Sequence, residues 1–405
     1  MSDVADSERA LVFGGGGVLG FAWTLGALRA VQSECGIDPV RAGLVVGTSA
    51  GSMLAGLLGC GVDLGVILRH QQGMPLPADP AIDWNYDTDS GGALPPLPGF
   101  VPGSPRLLLE AMLHPKAGSP AVALSGLLPR GRGTLAPIHA VVSAAAEQGL
   151  SGQSWPQRPR TWIVGTDYDS GARVVFGRDD VPISLADAVC ASCAIPAWYS
   201  PMQVAGRSYI DGGTVSNASA DVVLPLVVDG TIREVYVLAP MASVEPDHPR
   251  TPMARLERVV RKAITRGLQS DVARLTAAGA RVTLLTPGLR DLEVMGPNLM
   301  NPRRRTAVLR TSLLTTTGEL REQRIRSDAA STDKAFNDEA FNDEASTGAA
   351  SSQATSTAVQ SSSDDVWAAA TAGAGAPAFT DAGAHMGLPS GVRSEEDPGV
   401  GAGAR

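Results

Sequence analysis

"LVVGTSAGSML", residues 44–54, carries an apolar run into Gly47-Thr48-Ser49-Ala50-Gly51 and out again into small and apolar residues. A serine between two glycines, where one regular element stops and another begins, has two readings. In one it is a nucleophile elbow, a strained strand-to-helix turn whose flanking glycines give the backbone room. In the other the glycines bracket an ordinary turn and the hydroxyl has no chemical task. The flanks suit the first reading, because Leu44–Val46 reads as a strand and about Ala50–Leu58 as a helix. The surrounding Gly43–Val62 has no charged residue and is long enough to span a bilayer. It also holds six glycines with Thr48, Ser49 and Ser52, and it breaks at the turn, so a buried strand followed by a buried helix explains it better.

Upstream, "LVFGGGGVLGFAWTLGALRAV" places four glycines between a strand at Leu11–Phe13 and a helix from about Phe21 to Ser33. Gly15, Gly17 and Gly20 satisfy G-x-G-x-x-G, which invites a dinucleotide-binding reading. The acidic residue such a site needs should follow the second strand, and Asp38 precedes it. A glycine loop that opens a helix offers backbone N–H groups and a positive dipole end to any anion, including the oxyanion formed in ester cleavage. The alternation of strands and helices implies parallel strands with crossover helices, hence an α/β fold.

Downstream, residues 73–137 are rich in proline and glycine with scattered large apolar side chains, among them Trp84, Phe100, Leu107 and Leu108. They read as an irregular insertion folded as a cap over a site. Strands return at 161–167, 172–177, 234–240 and 281–287. Helices are expected at Ser184–Ala191, at about Ala254–Ala278, and in the arginine-rich segment 301–326. Beyond about Ser327, alanine, serine, glycine and aspartate dominate, with too few apolar residues to repay ordering, so 328–405 is expected to be a disordered low-complexity tail. The hydrolase-like part is expected to occupy 9–325.

Composition closes off other classes. A net charge of −8 without a dominant basic stripe argues against a nucleic-acid partner. The start "MSDVADSERA" has neither the basic nor the apolar region of a secretory signal, so a cytoplasmic protein is expected, at most peripheral to a membrane. Cys190-Ala-Ser-Cys193 has redox or metal spacing but lacks a second pair, and it reads as small buried residues. No metal cluster is visible, and no cofactor or metal is expected.

A nucleophilic serine needs a base. Of the five histidines, His385 lies in the tail and His70, His114 and His139 border or occupy the insertion. His248, after a strand, is the one placed where a hydrolase triad would put it. Asp211, in "VCASCAIPAWYSPMQVAGRSYIDGGTVSN", ends a strand before Gly212 and Gly213 and reads either as a turn former or as a carboxylate base.

Together, Gly15-Gly-Gly-Val-Leu-Gly20, Gly47-Thr-Ser-Ala-Gly51 and Asp211-Gly-Gly213 resemble, in that order, the signatures of the patatin-like phospholipases. Ala191–Pro196, with Trp198 and Pro201, is similar to the family's block before the aspartate. The resemblance covers about residues 9–315. It implies a three-layer α/β/α fold with a largely parallel sheet. It also implies a serine acyl hydrolase of lipid esters with Ser49 as nucleophile and Asp211 as base. Gly15, Gly16 and Gly17 would form the oxyanion hole, with Gly20, Gly47, Gly51, Gly212 and Gly213 as motif glycines. The implied partners are a lipid or acyl-ester substrate and transient contact with a membrane surface. One position departs from many family members: Leu19 stands where a basic residue is common.

Overall fold

Three central strands bury both faces, and their alternate side chains feed two separate cores. In β1 (Arg9–Phe13), Leu11 and Phe13 face one core while Ala10 and Val12 face the other. In β2 (Leu44–Thr48), Val45 goes to the first and Leu44 and Val46 to the second, and β7 (Glu234–Leu238) divides in the same way. A strand apolar on both faces belongs in the middle of a sheet covered by helices. The structure is a computed structural model that describes residues 4–77, 79, 103–107, 120–245 and 252–326.

The other strands are β3 (Arg160–Asp167), β4 (Arg173–Phe176), β5 (Met202–Val204), β6 (Arg207–Asp211) and β8 (Arg281–Leu285). They join one sheet in the order β5-β6-β3-β2-β1-β7-β8, with β4 also on β3. The run β3-β2-β1-β7-β8 is parallel, whereas β4 and β6 meet β3 antiparallel.

Helices α1 (Gly17–Cys35), α2 (Ala50–Gly59), α3 (Leu64–Gln72), α4 (Pro120–Leu127), α5 (Ala136–Gly149) and α6 (Leu185–Cys193) come from the first half of the chain. They are followed by α7 (Leu224–Val228), α8 (Pro252–Ala277), α9 (Leu289–Met295) and α10 (305–326). Trp23, Leu54, Val142, Val189 and Leu309 fill the first core from α1, α2, α5, α6 and α10. Val223, Val227, Leu268 and Leu275 fill the second. The architecture is therefore three-layer α/β/α.

One edge of β3 does the positioning. Ile163 and Val164 pair with β4 on one side and with Gly47 and Thr48 of β2 on the other. The next residues, Gly165 and Thr166, pair with β4 again and with Asp211 and Ile210 of β6. A strand residue has only two neighbours in the sheet, so β2 and β6 share one edge of β3 and meet end to end. Thr48 sits opposite Val164 and Asp211 opposite Gly165, one step apart.

Several expectations need correction. The segment 73–137 is not wholly irregular: α4 forms at Pro120–Leu127, where "AVALSGL" offers good helix formers, and α5 begins at Ala136. Helix α1 starts at Gly17, four residues before Phe21: the Gly20 N–H donates to the Gly16 carbonyl at 2.9 Å, and Gly17, at φ 60°, takes the left-handed backbone that opens the turn. Leu107 and Val122 pack with Tyr168 and Ile210 in a small satellite core, so this part of the expected cap is peripheral packing. The remaining cap side chains named above, His114, His248 and the tail 328–405 lie outside the described residues.

Candidate active site

Ser49 is the hinge between β2 and α2, with φ 53° and ψ −124°. A non-glycine residue in that region stores about 1–3 kcal/mol of strain and persists only where its surroundings hold it. Here they do. The Ser49 N–H donates to Ser192 Oγ at 2.8 Å, and that hydroxyl in turn donates to the Val164 carbonyl at 2.6 Å. The Ser49 carbonyl accepts from Ser52 Oγ at 2.6 Å and from Cys193 Sγ at 3.2 Å. The flanking glycines are obligatory: a Cβ on Gly47 would lie 2.3 Å from the Gly51 carbonyl oxygen, and one on Gly51 2.2 Å from that of Phe13. The turn has the geometry of an elbow.

Asp211 ends β6 beside this turn; its carboxylate accepts a hydrogen bond from the Gly213 N–H at 2.7 Å, and the neighbouring Ser49 hydroxyl acts to lower its pKa. Only 6% of it is exposed. Burial disfavours the charged form and pushes its pKa up to about 6, against the opposing pull of the Ser49 hydroxyl and the Gly213 N–H. Gly212 is needed at the junction, since a Cβ there would lie 2.3 Å from the Val164 carbonyl oxygen. The arrangement presents a hydroxyl beside a carboxylate whose pKa lies near neutrality, which is what proton abstraction from a nucleophile asks for.

The glycine loop lies against the same serine. A Cβ on Gly15 would come within 3.0 Å of Ser49 Cβ. The amides of this loop divide. The Gly15 N–H donates to the Asn217 carbonyl at 3.0 Å, so it is occupied, which corrects the expectation that all three glycines are free donors. The Gly16 and Gly17 N–H groups have no acceptor among the described residues, as befits the first turn of α1, and the positive end of its dipole points the same way. Gly20 packs against Pro240. Leu19 is fully buried and its N–H is bonded to the Leu299 carbonyl at 2.9 Å, so that position faces the core.

Among the described residues, no histidine belongs to this cluster. His139 on α5 meets Asp187 at 3.2 Å and Ser143 at 3.3 Å, which imitates a triad on a half-exposed helix surface. Its serine lies inside a regular helix and makes no elbow. Among the described residues, the groups acting on the Asp211 carboxylate are the Ser49 hydroxyl and the Gly213 N–H. Nor do the cysteines form a redox pair: all four are free thiols, and burial pushes Cys190 up to about 12 and Cys193 well above its ordinary value. Cys193 instead holds the elbow carbonyl, a task its CxxC spacing does not signal. Ser192 and Asn217 were equally invisible in the sequence, the former because it acts on a residue 143 positions away. No group of three or more metal-binding side chains exists among the described residues.

Comparison with known proteins fits this geometry. Residues 11–83 and 154–224 match the family model described as "Patatin-like phospholipase", and the matched stretches hold Ser49 and Asp211 respectively. The crystal structure of VipD from Legionella pneumophila is similar over 78% of this chain and 67% of its own, at 14% identity and a TM-score of 0.36, too distant a likeness to bear on the site. No curated protein matches the chain.

Proposed function

Because the chain belongs to the patatin-like phospholipase family and is a lipid-ester hydrolase, we propose that it cleaves its substrate through an acyl-enzyme on Ser49 with Asp211 as the base. The placement of the Ser49 hydroxyl beside the buried Asp211 carboxylate supports this reading above all. Asp211 takes the hydroxyl proton as Ser49 Oγ attacks the ester carbonyl. The tetrahedral oxyanion is held by the Gly16 and Gly17 amides at the start of α1. The protonated Asp211 then gives its proton to the leaving alcohol, and water, deprotonated by the same carboxylate, releases the acid. No step needs a histidine. The hydrolase unit is proposed to run over residues 9–325, with 328–405 as a separate tail.

The substrate is proposed to be a lipid carboxylic ester, met at a membrane surface by transient contact. No described helix is long and apolar enough to cross a membrane. The test is labelling by a fluorophosphonate probe together with hydrolysis of p-nitrophenyl esters and phospholipid vesicles. Ser49→Ala should abolish both labelling and turnover while the protein stays folded. Retention of more than a few per cent of wild-type turnover would refute the assignment.

A further inference from the structure

A groove of about 780 Å³ runs along α8 and reaches the residues next to the proposed dyad. Its near end is formed by Gly213 and Asn217, the residues that hold Asp211 Oδ1 and the Gly15 amide. The α8 wall is anchored at the same end, since Arg261 Nη1 donates to the Pro240 carbonyl at 2.6 Å and Pro240 packs against Gly16. From there the wall runs Val260, Ala263, Ile264, Gly267 and Leu268, with Val215 and Ala218 opposite. The far end is closed by charge: Arg173 grips Asp221 with bonds of 2.6 and 2.5 Å, and Arg274 approaches Asp221 at 3.8 Å. Asp271 lines this end too.

Gly267 is the informative residue. It lies in the interior of the 26-residue helix α8, where glycine is the least favourable residue apart from proline. No close contact requires it, because a Cβ there would meet nothing within 4 Å. A side chain would project into the groove. What the glycine preserves is open space, halfway along an apolar channel. The channel also has a definite reach. Val260 to Asp271 spans about 16 Å at the helical rise, and one lipid chain spans half of a hydrocarbon core, about 15 Å.

We infer that this groove is the acyl-chain subsite, holding a long unbranched chain along α8 with the ester carbonyl at Ser49 and the terminal methyl short of the Arg173–Asp221 pair. The inference rests on the dyad reading above. It names the substrate as a long-chain ester, and it assigns chain selection to Gly267 and Ala263 rather than to the 73–137 insertion. The middle of the channel offers apolar side chains while the polar groups sit at its two ends, which suits a hydrocarbon chain and sets an upper limit on its length.

The experiment compares the full chain with Gly267→Leu and Ala263→Leu on p-nitrophenyl butyrate and palmitate, with fluorophosphonate labelling as the measure of Ser49 reactivity. Each variant should lower kcat/KM for palmitate by about tenfold or more, through loss of buried methylenes, and leave butyrate within about twofold. Labelling should be unchanged. Gly267→Ala, which adds one methyl and improves helix propensity, should raise Tm and keep most of the palmitate activity. Parallel loss on both esters, or no change on either, in a wild type that labels normally would overturn the groove assignment alone. A wild type that fails to label at Ser49 would overturn the dyad reading and the groove with it.

Discussion

Asp211→Asn separates what the carboxylate costs the fold from what it does for the reaction. The carboxyl rises from its ordinary 3.8 to about 6 because burial disfavours its charge. At about 1.4 kcal/mol for each tenfold change in the ionisation equilibrium, the charged form is destabilised in the folded state by about 3 kcal/mol. Between 3.8 and about 6 the folded chain binds more proton at this site than the unfolded chain. Stability from this group is therefore present at acid pH and lost as pH rises through that window, with the full penalty above about 6. Asparagine removes the charge and keeps the hydrogen bond from the Gly213 N–H, which its carbonyl accepts. The variant should be more stable than wild type by about 3 kcal/mol at pH 8, or about 6–10 °C in Tm, and equal to it near pH 4. Urea unfolding of both proteins at pH 4, 5, 6 and 8 reads the difference directly and cancels every other titration. Activity should move the opposite way. Loss of the base should lower kcat on a short p-nitrophenyl ester by on the order of a thousandfold. The wild type's kcat/KM should fall below about pH 6, as the carboxylate takes up its proton. A stability difference that does not vary with pH, or a variant less stable than wild type at pH 8, would refute the claim that a buried charge at Asp211 is the base.

Two further substitutions probe the elbow. Ser192→Ala removes the acceptor of the Ser49 N–H and the donor to the Val164 carbonyl. It should cost about 1–3 kcal/mol and slow fluorophosphonate labelling, while Ser192→Thr, if its hydroxyl reaches the same place, restores both. Gly51→Ala drives a methyl to within 2.2 Å of the Phe13 carbonyl oxygen, so it should cost about 3 kcal/mol or more and abolish turnover. A Gly61→Ala control, at φ 76° with open space around it, should lose stability through its backbone alone and keep activity in the folded fraction.

Much of the site was legible because its signals are local. Glycines on either side of Ser49 and the strand–helix flanks of "LVVGTSAGSML" declare an elbow within eleven residues. The apolar runs at Leu44–Thr48 and Glu234–Leu238 declare central strands through continuous hydrophobicity. Asp211 was recognisable as a candidate, but its role was open between turn former and base, since a sequence of 405 residues does not say which strands meet. The tertiary structure supplies its neighbour. Asp211 comes to Ser49 because β2 and β6 abut on one edge of β3, a pairing set by registers 116 and 46 residues apart in sequence, Thr48 with Val164 and Gly165 with Asp211. The same assembly recruited Ser192 and Cys193 to strap the elbow, used up the Gly15 amide on Asn217, and buried Leu19 in the core. Each of these is a contact between distant segments with no periodicity or motif to announce it. Local chemistry singled out Ser49 and its glycines; chain packing placed Asp211 beside it and chose its supports and the loop amides left without an acceptor.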